Sequence, residues 1–198
     1  MRVIGTRLPR RLVETDRRRP EVAPVGFTPT GETIDPATVA ADMGDLAARV
    51  RSLMALQDQR VLQLPLGGGF FDIVVTASGP EGYAVVQLLD EIQRTDGDRP
   101  DACGPVIEDP ERSWLIWLVP PGTSAEWAPH RYATCLGRPY HVALPPMAVT
   151  EPPGPYWLRP CRGDRLVPSK PLRDLLDQFR PEPAPHETLL GEVLGTIS

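Results

Sequence analysis

The sequence predicts an α+β fold, a mainly antiparallel mixed sheet packed against two or three helices. Two observations carry the expectation. The run WLIWLV that begins at Trp114 is apolar at every position, the pattern of a central strand covered on both faces. Around it, segments of helical and extended pattern follow in the order β–α–β–β–β–β–β–α, preceded by one helix, which indicates strands paired largely with near neighbours.

Taken in chain order, residues 1–32 alternate arginine, proline and threonine without a sustained period and read as an irregular basic arm. A helix is predicted over residues 36–60. Asp35 is placed to cap it, and Pro36 takes the first helical position, where a missing N–H costs nothing. Val39, Met43, Leu46, Val50 and Leu53 recur at three- and four-residue spacings, so one apolar stripe faces a core. The alternative use of that stripe is a protein partner or homodimer contact.

Two extended pieces then flank Gly67-Gly68-Gly69, and the stretch from Phe70 to Thr76 is a β-branched and aromatic strand. No GK[ST] follows the glycines and no helix opens after them, so a tight turn is expected rather than a phosphate loop. Ser78 and Glu81 form a capping box around Pro80 and start a helix whose Val85, Leu88, Leu89 and Ile92 face a core. A hairpin follows, turning at Asp109-Pro110-Glu111-Arg112 into the apolar run, which Pro120 stops because it cannot donate to a ladder. The runs YATCLG, RPYHVALPP and GPYWLRP are three further strands. Ser169 is expected to cap a helix with Pro171 in its first turn, and PEPAP leads to a marginal helix, HETLLGEVLG. The organisation expected is an arm (1–32), one α+β domain (33–180), and a proline-rich linker with a tail (181–198).

Composition narrows the function classes. With 41% hydrophobic and 24% charged residues, the 198-residue chain can bury a sizeable core. The net charge of −5 gives no general attraction to polyanions, but it is unevenly spread. Seven arginines against Glu14 and Asp16 give residues 1–20 about +5 and leave the remainder about −10. Arg7, Arg10, Arg11, Arg17, Arg18 and Arg19 are therefore the candidate nucleic-acid contacts, suited to weak neutralisation of phosphates. Cys103, Cys135 and Cys161 are odd in number and widely spaced, which predicts reduced and mostly buried thiols. No apolar run is long enough to span a bilayer and no signal-peptide h-region is present, so a cytoplasmic location is expected.

Local signatures of catalysis are sparse. His130, His141 and His186 fall on a loop, a strand and the tail, with no pair at metal-ligand spacing, and His141 is expected as a core or pocket histidine. Asp96-Gly97-Asp98 is the one tight D-x-D, but its glycine and the following Arg99-Pro100 predict a solvated turn. Asp72 opens a strand as a lone carboxylate. No catalytic residue, metal ligand or cofactor is assigned.

From about residue 71 to residue 179 the order of motifs is distinctive: FDIVVTASGPEGYAVVQLLDEI, then GPVIE and WLIWLVPPG, then LGRPYHVALPP, GPYWLRP and a closing PLRDLL. This order resembles the bifunctional DNA primase/polymerase N-terminal (prim-pol) domain of the archaeo-eukaryotic primase superfamily. The resemblance implies a primase-like scaffold. It also implies, for an active member, a strand-borne D-x-D upstream that holds two metal ions, and a serine–arginine–histidine element after the APP-like motif. Residues 1–70 hold no such pair, and Pro145-Pro146 is followed by Met147-Ala148-Val149. The expectation is a non-catalytic, prim-pol-like accessory or regulatory protein, linked to DNA replication or a mobile element. The alternatives are an active nucleotide-handling enzyme and a helix-mediated interaction or dimerisation module.

Overall fold

A computed structural model of the chain describes residues 36–55, 60–94, 103–161 and 165–195, with the backbone alone for residues 36–44 and 93. The arm with its candidate arginines (Arg7, Arg10, Arg11, Arg17, Arg18, Arg19), the proposed cap Asp35 and the Asp96-Gly97-Asp98 turn lie outside the described residues. The elements are α1 (Pro36–Ala55), β1 (Leu62–Pro65), β2 (Asp72–Ala77), α2 (Pro80–Gln93), β3 (Val106–Asp109) and β4 (Trp114–Val119). They continue as α3 (Thr123–Glu126), β5 (Thr134–Leu136), β6 (His141–Leu144), β7 (Tyr156–Arg159), α4 (Ser169–Phe179) and α5 (Glu187–Leu194). The fold is α+β, as the sequence predicts.

The WLIWLV run is β4, the middle strand of a five-stranded sheet ordered β5-β2-β4-β3-β7. Every pairing in that sheet is antiparallel. Successive side chains of a strand point to opposite faces, so β4 feeds two cores at once. Trp114, Ile116 and Leu118 join Ile73 and Val75 of β2 in the first core, with Val50 and Met54 of α1 and Leu190 of α5. Leu115, Trp117 and Val119 join Val74 of β2 in the second, with Val85, Val86 and Leu89 of α2 and Leu172, Leu175 and Leu176 of α4. In the described part of α1, Val50 is fully buried while Leu46 and Leu53 pack against the same core, so this part of its stripe faces inward.

The sheet does not contain every strand. β1 and β6 form a separate two-stranded antiparallel ribbon whose Leu64, Val142 and Leu144 cover the first core. The glycine triplet between β1 and β2 is a turn, as expected, but it connects two sheets rather than two partners of a hairpin.

Several local expectations are corrected. Gly79, not Ser78, is the N-cap of α2, at φ 134 and with no side-chain cap bond. The backbone N–H of Ser78 is instead tied to Ser113 O at 2.7 Å, in the β3–β4 turn. Pro168 is the N-cap of α4, which makes Ser169 its first helical residue. Ile92 is 49% exposed because it lies in the last turn of α2, beyond the section buried around Val86 and Leu89. The segment expected as linker and tail contributes to the fold: Leu190 is fully buried, and Ala184 N donates to Arg131 O at 3.0 Å. No helix among the described residues is long and apolar enough to cross a membrane.

Trp117 is fully buried, and its Nε1 donates to Thr76 Oγ1 at 3.0 Å inside the second core. Trp117→Ala should destabilise the protein by about 3–5 kcal/mol in chemical denaturation, as a large-to-small core change does. An unchanged unfolding midpoint would show that β4 is not the centre of the sheet.

Candidate functional site

The most developed site lies where β2 begins. Gly67 and Gly68 adopt φ values of 71° and 76°, and Gly67 N donates back to Phe71 O at 2.8 Å. That reversal delivers the chain from the ribbon into the central sheet at Asp72, whose side chain is buried (1% exposed). Its Oδ2 accepts from Ser124 N at 2.8 Å, so the carboxylate satisfies a backbone donor in the first turn of α3. Its Oδ1 is buried with no hydrogen-bond partner among the described residues. A Cβ at Gly137 would stand 2.1 Å from Ser124 Oγ and 3.0 Å from Asp72 Oδ1. Only glycine lets the end of β5 cross this close to α3. Arg138 follows, its guanidinium lying against Gly68, where a Cβ would fall 2.6 Å from Nη2.

A cleft of about 690 Å³ opens beside this junction, within the size range of small-ligand sites. One wall is Ser124, Trp127 and His130, a second is the chain from Ala133 to Arg138, and the far wall is the segment from Ala184 to Glu187. The far wall is held by Thr134 Oγ1 donating to Pro185 O at 2.9 Å and Tyr140 Oη donating to Glu187 Oε1 at 3.0 Å.

The ionisable groups lining the cleft are not arranged for nucleophilic chemistry. Burial raises the Cys135 thiol well above its usual value and the Asp72 charge raises it further, so it stays protonated at neutral pH. His130 is held below the usual histidine range, first by burial and then by the charge of Arg173, against the opposing pull of Asp177. Its Nδ1 accepts from Tyr132 N at 3.1 Å, and its Nε2 stands 3.1 Å from Asp177 Oδ1. The hydrogen bond to Glu187 raises Tyr140.

Two further polar groupings brace the sheet. Glu108 is buried on β3 and accepts from Tyr83 of α2 and from Tyr156 of β7, the latter at 2.5 Å. The bond to Glu108 and burial push Tyr83 up to about 12, and burial together with the same carboxylate raises Tyr156 further. Asp90, buried on α2, accepts from Arg159 Nε and from Cys103 N, each at 2.8 Å. Both groupings pin helix to sheet. The signal for Glu108 was legible as an acid inside the apolar run GPVIE. Its partners, 25 and 48 residues away, were not.

The sequence-derived candidates are dispersed. His141, expected as a core or pocket histidine, is half-buried on β6, and its Nδ1 lacks a partner among the described residues. His186 caps α5 by accepting from Thr188 N at 3.3 Å. None of the three cysteines is in a disulfide; Cys103 and Cys161 are buried and Cys135 is half-buried. Among the described residues no three His, Cys, Asp or Glu side chains converge as a metal site requires. No protein-family model, no curated protein and no solved structure matches the chain.

Gly137→Ala should cost about 1–3 kcal/mol through overpacking, and Ser124→Gly in the same chain should recover part of the loss. Thermal denaturation of the two single variants and the double variant measures the coupling; strict additivity would contradict the contact. His130 gives a pH dependence of definite sign. Its folded pKa lies below the unfolded value of about 6.5, so unfolding takes up a proton in mild acid. The stability tied to the neutral ring is complete above that value and is lost as pH falls through the folded pKa. Melting temperatures from about pH 7.5 to about pH 5.5 should therefore fall more steeply for the native chain than for His130→Gln.

Proposed function

We propose that the chain is a non-catalytic, prim-pol-like accessory or regulatory protein whose folded body is a binding scaffold and whose N-terminal arginines supply weak nucleic-acid contact. The observation that best supports this reading is the engagement of Asp72. By the resemblance, an active member holds two metal ions with a pair of strand-borne carboxylates. That pair is expected upstream of residue 71, where the described strand β1 (LQLP) carries no carboxylate. The lone Asp72 of β2 has its Oδ2 engaged by Ser124 N, and the next residues, Ile73, Val74 and Val75, are fully buried in the two cores. Cys135, held as a thiol beside it, supports the same reading. The cleft favours a second reading, a nucleotide-handling enzyme.

Purified protein is expected to give no primer synthesis and no nucleotide incorporation with Mg²⁺ or Mn²⁺, whereas template-dependent extension abolished by Asp72→Ala would establish the enzyme reading. Duplex DNA should bind weakly and lose affinity steeply between about 50 and 200 mM salt. Replacing Arg7, Arg10, Arg11, Arg17, Arg18 and Arg19 by glutamine should flatten that salt slope. An unchanged slope would move the contact to the folded body.

A further inference from the structure

The cleft beside β5 has a geometry that its volume alone does not convey. Side chains of successive strand residues point to opposite faces, and those around β5 do so: Ala133 and Cys135 pack toward the α2–α4 core and Leu136 toward the other. Yet every residue from Ala133 to Arg138 lines the same cleft. A cavity bordered by consecutive residues of a strand runs along the strand's edge, where the backbone N–H and C=O groups are presented. β5 is one of the two terminal strands of the five-stranded sheet, with β2 on its inner side and the cleft on its outer side.

The segment across the cleft accounts for how the edge is left open. Ala184 N bonds to Arg131 O, and Thr134 Oγ1 bonds to Pro185 O, so this segment closes on the chain at the start of β5. Further along, it passes His186 and Glu187, which also line the cleft, and continues into α5, which is anchored by the buried Leu190. β5 itself is three residues, Thr134–Leu136, and the chain turns at Arg138, so this edge offers about 10 Å for a short added strand. Arg138 stands at the end of this edge, exposed and without an ion-pair partner among the described residues.

We propose that the outer edge of β5 is a docking site for an extended peptide segment of a partner protein, added as a sixth strand and carrying an acidic residue opposite Arg138. Backbone hydrogen bonds supply the affinity in this mode of recognition, and alternate side chains supply the specificity. One set of the peptide's side chains would meet Trp127 and Pro129, and the other would meet Tyr140. The acidic residue follows from charge complementarity with Arg138, an exposed cation beside this edge. The site goes beyond the accessory reading and would serve an enzyme equally well.

The test uses the full chain and a synthetic hexapeptide of alternating valine and threonine ending in two aspartates. Calorimetry should detect binding below about 1 mM, and amide exchange should slow at Cys135 and Gly137, whose N–H groups face away from β2. N-methylation at alternate peptide positions, which removes edge-facing donors, should weaken binding by at least about tenfold. Arg138→Glu should do the same, with an unchanged melting temperature, and should shift preference to the peptide ending in two lysines. Absence of binding, indifference to N-methylation, or protection elsewhere in the chain would each overturn the proposal. Concentration-dependent dimerisation protecting the same two amides without peptide would assign the edge to a second copy and overturn it as well. None of these outcomes depends on primer synthesis, so failure here is distinguishable from failure of the accessory reading.

Discussion

The structure depends on one strand being covered on both faces. β4 is buried at all six positions, and its alternating side chains enter two different cores. Each core is closed by elements that have little else in common: α2 and α4 on one side, and α1, the β1–β6 ribbon and α5 on the other. Apolar burial contributes about 25 cal/mol per Å², so a strand that loses solvent on both faces contributes twice over. Removing either covering layer would leave β4 with an exposed apolar face. The buried polar contacts reinforce the arrangement, because Glu108 and Asp90 each join helix to sheet at points where the chain would otherwise have only apolar adhesion.

That strand was also the most legible part of the sequence, and for the same reason. A run that is apolar at every position can be satisfied only by cover on both sides, so WLIWLV predicts its own place. The β3–β4 hairpin was legible because Asp109-Pro110 gives a turn in local chemistry; Asp109 indeed accepts from Arg112 N at 3.3 Å. The division of strands between two sheets was not legible. β1 and β6 have the same short, half-buried pattern as β5 and β7, and no local signal distinguishes pairing with one another from pairing with the sheet. The caps failed for a related reason. Ser78 and Ser169 have the right side chains, but tertiary contacts set the backbone one residue away from where local preference would put it.

The site was legible only in fragments. Asp72 stood out as a lone acid opening an apolar strand, but its partner Ser124 is 52 residues away and belongs to a four-residue helix too short to give a periodic signal. Gly137 reads as an ordinary strand terminator, although its role is steric and depends on Ser124 and Asp72 lying beneath it. The C-terminal segment was read as linker because Pro181, Pro183 and Pro185 dominate its composition. Proline is equally suited to an extended segment lying against a strand, since it needs no ladder of its own. The cleft, the edge of β5 and the junction at Asp72 are thus a single region assembled from four separated pieces of chain.

The central claim is that β4 is held by both cores as one cooperative unit, while β5, a terminal strand of the sheet, has an open side. Native-state hydrogen exchange tests it most directly, because it resolves the opening free energy of each amide. The amides of Leu115 to Leu118 should exchange only through global unfolding, at a free energy shared by the buried amides of both α2 and β6. Those of Cys135 to Gly137 should open at markedly lower free energy. If β4 exchanged as readily as β5, or if the α2 side opened independently of the β6 side, the two cores would not depend on a common strand and the account would be wrong.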